Sequence, residues 1–217
     1  MSSGEGGAVL TNDAELANRL YRFKHIGYAS GTIQGKAAGG PPAGLVCHNY
    51  RGTEFQAAIL RGQLKTLKGM TRRRDQNAKF LCKKLEQLPG IKVQARGRRA
   101  DVQGYYRFVI LVDPAYFGGA SLTQIIRAAW DEGLRAGAAY GAVYRQILWN
   151  IPPSDYRIHG SYKDARGAAC KVTEDVCQNR AICVDPRMLE WSRAELARVP
   201  EIFAKLQQNA SELKKIK

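Results

Sequence analysis

No apolar run among the 217 residues is long enough to cross a bilayer: stretches such as Phe108 to Val112 fall far short of the roughly 20 residues a span needs. The first residues lack the basic-then-apolar order of a secretion signal, which sets the expectation of a cytoplasmic protein. Cysteine is sparse, and its five copies (Cys47, Cys82, Cys170, Cys177, Cys183) are odd in number and without CxxC spacing. That excludes a disulfide framework and a zinc knuckle and points to free, buried thiols. The three histidines are scattered and form no metal pair. No Ser-His-Asp or Cys-His arrangement, no paired carboxylates at useful spacing, and no internal repeats or low-complexity tracts are present.

Acidic charge is also scarce, with 19 Asp and Glu against 34 Lys and Arg, a formal charge of +15. The excess is concentrated between Arg61 and Arg99, where thirteen Lys or Arg accompany only Asp75 and Glu86. Arg61, Lys65, Lys68 and Arg72 follow helical spacing and form a basic stripe able to attract phosphate polymers. A solvated helix face is the preferred reading, because no aromatics are interleaved for base stacking and no nucleic-acid motif accompanies the stripe. A 45% hydrophobic content, in a chain of this length, is enough for one good core in one or two domains.

Along the chain, Gly4-Glu5-Gly6-Gly7 predicts a permissive turn and Ala8-Val9-Leu10 a short strand, with Glu5 as a turn carboxylate fixing the glycine loop. Asn12 with Glu15 predicts a capped helix, apolar at Leu16, Leu20 and Phe23 and ending at Gly27. The Gly- and Pro-rich stretch from Tyr28 to His48 reads as a long loop. Thr53 followed by Gln56 predicts a capping box opening a helix that reaches Leu88, either continuous or broken near Gly69. Strands are expected at Ile91–Ala95, Tyr105–Val112, Leu134–Tyr140 and Ala181–Val184. A helix opens at the Ser121/Gln124 capping box, a second spans Cys170 to Cys177, and a last one follows Ser192 with Glu195, with Pro200 either kinking it or starting a separate helix. Strands alternating with helices in this way make an α+β arrangement, helices covering one face of a small sheet.

In order, Gly4-Glu5-Gly6-Gly7, the helix ending in His25-Ile26-Gly27, and Asn49-Tyr50-Arg51-Gly52-Thr53-Glu54-Phe55-Gln56-Ala57-Ala58 resemble the pyridoxal-phosphate (PLP) aminotransferases of the DegT/DnrJ/EryC1/StrS family. The wording around Thr53 looks most like members acting on inososes and aminohydroxybenzoate-type rings. Tyr105-Tyr106-Arg107-Phe108, Phe117-Gly118-Gly119, Tyr140-Gly141 with Tyr144-Arg145, and the Cys170 to Cys177 spacing continue the resemblance. It covers nearly the whole chain, but only the later half or so of such an enzyme.

The resemblance implies an α/β fold, part of the PLP-dependent transferase type I (aspartate-aminotransferase-like) fold: the end of the large domain followed by a small C-terminal α+β domain. Residues 1–52 would be the large-domain remnant, 53–88 a connecting helix and 89–217 the small domain. It places Asn49 at the phosphate of PLP in a neighbouring subunit, Arg51 near that phosphate or the substrate's anionic part, and Tyr140, Tyr144 and Arg145 toward the substrate, although packing explains these last three equally well. The Schiff-base lysine of the family would fall two positions before Met1, and Lys36, in Gln34-Gly35-Lys36-Ala37, does not match its motif. No catalytic residue is therefore assigned. PLP would be held only with a complementary chain, an N-terminal aminotransferase half or a family homodimer partner. The substrates implied are a keto-sugar or keto-cyclitol and an amino donor such as Glu or Gln. An inactive binding or dimerisation module of the same family predicts the same residues, and a basic nucleic-acid-binding protein is the third reading.

Overall fold

The computed structural model describes residues 1–32, 45–145 and 170–216. The expected loop of 28–48, Lys36 with it, and the irregular stretch through Pro152-Pro153 lie wholly or largely outside the described residues. The chain divides into two compact units, Met1–Lys68 and Gly69–Lys217.

In the first unit, α1 (Ala14–Lys24) starts one residue later than the Asn12 cap predicts. Asp13 is the cap: its Oδ1 accepts the Leu16 N–H at 3.0 Å, and its own N–H donates to Thr11 Oγ1. Asp and Asn cap comparably well, so the choice between neighbours falls to the backbone. Residues 8–10 form no strand and are exposed, Leu10 at 93%, because no described segment offers them a ladder of hydrogen bonds.

α2 (Glu54–Leu85) opens on the predicted capping box, with Thr53 N–H donating to Gln56 Oε1 at 2.9 Å and Gln56 N–H donating to Thr53 Oγ1 at 3.2 Å. It passes through Gly69 without a break and gives way to turns at Glu86. The division between the two units falls inside this helix.

Among the described residues of Met1–Lys68 only Gly27 is buried, and α1 has no buried residue at all. Among the described residues, the buried apolar ones all lie from Ala78 onward. Apolar burial supplies most of the free energy of folding, so the two units differ sharply in what holds them. Amide hydrogen exchange is expected to show it: the α1 amides opening at a cost of little more than zero, and the central strands of Gly69–Lys217 only at close to the global unfolding free energy. Equal protection of the two would overturn this account.

The second unit is a four-stranded antiparallel sheet in the order β1-β2-β4-β3: β1 (Ile91–Val93), β2 (Phe108–Val112), β3 (Ala136–Ala138) and β4 (Ala181–Val184). All but β4 are shorter than the sequence predicts, and β3 is an edge. Register sorts side chains into rows. Phe108, Val184 and Ala136 lie in one row and are buried, while the neighbouring row of Val109, Cys183 and Gly137 is only half-buried. The period-2 alternation thus gives the sheet one core face and a second, less buried face that is small-sided at Cys183 and Gly137.

The core face is covered by α3 (Leu122–Asp131) and α5 (Arg193–Gln208), both opened by the predicted capping boxes. α5 continues through Pro200, which therefore starts no separate helix. Leu196, Val199, Phe203 and Leu206 are buried on both sides of it, and that stripe offsets the lost backbone bond. α6 (Ala210–Leu213) packs on the 3-10 turn Pro114–Phe117 because Gly118 follows that turn. Its φ is +64°, and a Cβ there would lie 2.8 Å from the Ala210 carbonyl oxygen. The expected helix from Cys170 to Cys177 is instead a short α4 (Lys171–Asp175) followed by a π segment, Val176–Arg180. The wider π turn changes the helical phase, so seven residues do not act as two α-turns.

Among the described residues, Asp75 and Asn77, both on α2, are the buried polar side chains. Asn77 Nδ2 donates to the Leu189 and Trp191 carbonyls at 2.8 and 3.1 Å. Asp75 receives Arg96, Lys79 at 3.0 Å and the Gln103 N–H at 3.2 Å. All five cysteines are free thiols as expected but none is fully buried, Cys170 being exposed and the other four half-buried; burial still pushes Cys82 up to about 11, where it is inert at neutral pH.

Candidate functional site

In the first unit, three residues after α1 steer the chain back along it. His48 N–H donates to the Phe23 carbonyl at 2.7 Å, Tyr50 N–H to that of Lys24 at 2.9 Å, and Ile26 N–H to that of His48 at 3.1 Å. Asn49 pairs with His25 as a single antiparallel bridge. Flanking rings stiffen the crossing: His48 and Tyr50 stack at 4.9 Å, and Phe23 meets His48 edge-on at 5.1 Å.

On this support, Asn49 and Arg51 project just ahead of α2, and Arg51 Nε donates to Asn49 Oδ1 at 2.8 Å. That bond uses the acceptor of the amide and leaves its N–H groups as the chemically distinctive feature beside a guanidinium. The glycine turn is held to the same helix start. The Gln56 amide donates to the Ser3 and Glu5 carbonyls at 3.3 and 3.2 Å, and Gln63 exchanges two hydrogen bonds with Ser2. The bonds that fix the loop therefore come from the Gln56 side chain and not, as expected, from the Glu5 carboxylate. Such a donor pair suits a phosphate: both side chains present N–H to an oxygen anion, and neither adds negative charge.

In the second unit, Tyr140 lies just past the edge strand β3. Its hydroxyl shares a 3.0 Å hydrogen bond with that of Tyr106, whose ring lies 5.6 Å from the Arg107 guanidinium carbon. The bond from Tyr106 and a second from Arg107 make the Tyr140 hydroxyl more acidic than usual, while the shared bond makes Tyr106 less so. Tyr144 and Arg145 converge elsewhere, on Glu174: the Tyr144 hydroxyl at 2.7 Å and Arg145 Nε at 2.9 Å. These two bonds hold the Glu174 carboxyl below its usual range. Burial first, and then the bond to Glu174, raise Tyr144.

Beside Tyr140 is a hollow of about 290 Å3 lined by Arg107, Trp130, Arg135, residues 136–138, Cys183 and Asp185. Reading the sequence for site residues passed over Arg107, Arg135 and Trp130. A signal existed for the first: if Phe108, Ile110 and Val112 face the core, alternation carried back one residue puts Arg107 on the opposite face. Arg135 and Trp130 carried none, since their approach depends on α3 folding back beside β3, where the Trp130 indole N–H donates to the Ala136 carbonyl. Among the described residues no cluster of His, Cys, Asp or Glu could hold a metal ion, and no helix is long and apolar enough to cross a membrane.

Solved structures place this fold. The chain superposes on the crystal structure of 3-amino-5-hydroxybenzoic acid synthase with a TM-score of 0.68 and 22% identity, covering 91% of this chain and 48% of that one. Against Helicobacter pylori PseC, an aminotransferase of pseudoaminic acid biosynthesis, the TM-score is 0.64 at 17% identity, covering 92% and 48%. The fold is therefore part of that of the PLP-dependent aminotransferases. Residues 1–201 match the DegT/DnrJ/EryC1/StrS aminotransferase family, and the chain belongs to it.

Curated relatives agree. The chain is 30% identical to L-glutamine:2-deoxy-scyllo-inosose aminotransferase of Micromonospora echinospora, over 99% of this chain and 52% of that protein. It is 29% identical to 3-amino-5-hydroxybenzoate synthase of Amycolatopsis mediterranei, over 94% and 50%. The chain spans about half the length of the curated relatives it matches.

Proposed function

We propose that this chain is the C-terminal portion of a cytoplasmic PLP-dependent aminotransferase for a keto-sugar or keto-cyclitol, active only with a complementary chain that carries the cofactor lysine. The observation behind this reading is the absence of a buried apolar core among the described residues of the first unit. Val9, Leu10, Phe55, Ile59 and Leu64 are all more than half exposed, in a segment that belongs to a family whose members are about twice as long. Exposed apolar residues in such number mark a surface made to be covered. The occupant we assign is the N-terminal half of an enzyme of the same family. Glutamine is the amino donor printed in the relatives' names, and glutamate is the alternative donor in this reading.

In this reading PLP, once bound, supplies the electron sink that transamination requires. Asn49 donates its amide N–H to the cofactor phosphate and Arg51 neutralises that phosphate's charge, both from the stiffened turn described above. Residues 1–52 act as the remnant of the large domain, 53–88 as the connecting helix and 89–217 as the small domain. Tyr140, Tyr144 and Arg145 lie toward the substrate.

Coexpression with an N-terminal half from a related aminotransferase tests the proposal. Association and a Schiff-base absorption band are expected in the copurified pair, and transfer of an amino group from glutamine or glutamate to a keto-cyclitol. Phe55→Ala, at a residue 84% exposed, is expected to weaken the association while moving the stability of the isolated chain by no more than about 0.5 kcal/mol. Association without any absorption band or turnover would favour a binding module. Absence of both, or a chain that alone binds PLP covalently and transaminates, would defeat the proposal.

A further inference from the structure

The hollow beside β3 combines features that its place in the sheet does not explain. Gly137 belongs to the half-buried row with Val109 and Cys183, and a Cβ built on it meets nothing within 4 Å, so the floor is open where a strand residue would normally project a side chain. Two guanidiniums line this opening, Arg107 and Arg135, and among the described residues neither has a carboxylate in ion-pair range. The one acidic side chain of the lining, Asp185, is already engaged: Arg187 donates to it through Nε at 3.1 Å, Nη2 at 2.9 Å and its backbone N–H at 2.8 Å. The Tyr140 hydroxyl lies at the rim, polarised by Tyr106 and Arg107. Positive charge, hydroxyl donors and an indole wall therefore surround a space of about 290 Å3, large enough for a small organic anion.

We infer that this hollow is an oxyanion-binding site, in which Arg107 and Arg135 hold a carboxylate or phosphate group and the Tyr140 hydroxyl donates a hydrogen bond to it. Paired guanidiniums match the planar geometry of a carboxylate and the edge of a phosphate, and charge-assisted bonds of this kind are about twice as strong as neutral ones. All the residues used lie in Gly69–Lys217, so the inference does not depend on a complementary chain.

The test is titration of the isotope-labelled full-length chain with inorganic phosphate and, separately, with glutarate, following the Gly137 amide and Trp130 indole NMR signals. Saturable shifts of both signals are expected with at least one probe. Saturation by phosphate alone identifies a phosphoryl ligand, by glutarate alone a carboxylate ligand, and by both a general oxyanion site. Replacing either guanidinium (Arg107→Gln or Arg135→Gln) should weaken binding about tenfold or more, as expected for loss of a charge-assisted contact. Gly137→Val, a residue suited to a strand, should fill the floor and have a similar effect. Arg135→Gln alters an exposed side chain and keeps the test valid if Gly137→Val does not fold. No saturation with either probe, or affinities unchanged in both arginine variants, would overturn the inference.

Discussion

Truncating Phe203 to alanine is expected to destabilise the chain by about 3–5 kcal/mol, measured as a lower urea midpoint with little change of slope. The side chain is fully buried on α5, in the cluster that joins this helix to the core face of the sheet. Two contributions add at that site. The lost ring surrenders its own transfer free energy, and the neighbours, fixed by two capped helices and a sheet, close only part of the space it leaves. Phe203 also lies one turn beyond Pro200, where the helix already lacks a backbone hydrogen bond, so the apolar stripe is what carries α5 past the proline. A loss below about 1 kcal/mol would show that the second unit is not held by this core.

Asp75→Asn is expected to cost roughly 2 kcal/mol at neutral pH, and the cost should vanish in acid. Burial pushes the Asp75 carboxyl up, but the bonds from Arg96, Lys79 and the Gln103 backbone outweigh it and hold the group at about 2, against an ordinary value of 3.8. The sign follows from proton binding. Between these values the unfolded chain takes up a proton that the folded chain refuses, so the stabilisation is complete above about 4 and disappears as the pH falls toward 2. Asparagine keeps the shape and one carbonyl acceptor but not the charge. Arg96 then loses its charged partner and keeps its bonds to the Ala100 and Asp101 carbonyls. Urea midpoints of the two proteins, followed from pH 7 to pH 2, should converge at the acid end; parallel curves would show that Asp75 is not ionised by its partners.

Much of the second unit was legible from local chemistry. Capping boxes at Ser121/Gln124 and Ser192/Glu195, the apolar runs of β2 and β4, and the stripe from Leu196 to Leu206 all depend on neighbours within a few residues, and each is present, β2 only in the later part of its predicted span. The departures occur where distant backbone decides. Residues 8–10 have the composition of a strand but no partner to pair with, and the Cys170 to Cys177 spacing meets a π segment that sequence periodicity does not reveal. For the site, Asn49 and Arg51 were recognisable as polar residues ahead of a capped helix. The antiparallel crossing at His25 that aims them was not, because its bonds join residues more than twenty positions apart.

By itself the sequence determined the family, the order of helices and strands, and the scarcity of acidic charge, because these reside in residue identity and in spacings of three to five positions. Only the tertiary structure decided that, among the described residues, the apolar side chains before Ala78 fall short of full burial and that Arg107, Arg135 and Tyr140 share one hollow. Burial and the meeting of charges are properties of which surfaces come together, and the strand register that brings Val109, Cys183 and Gly137 into one row is set by cross-strand pairing, which linear spacing does not encode.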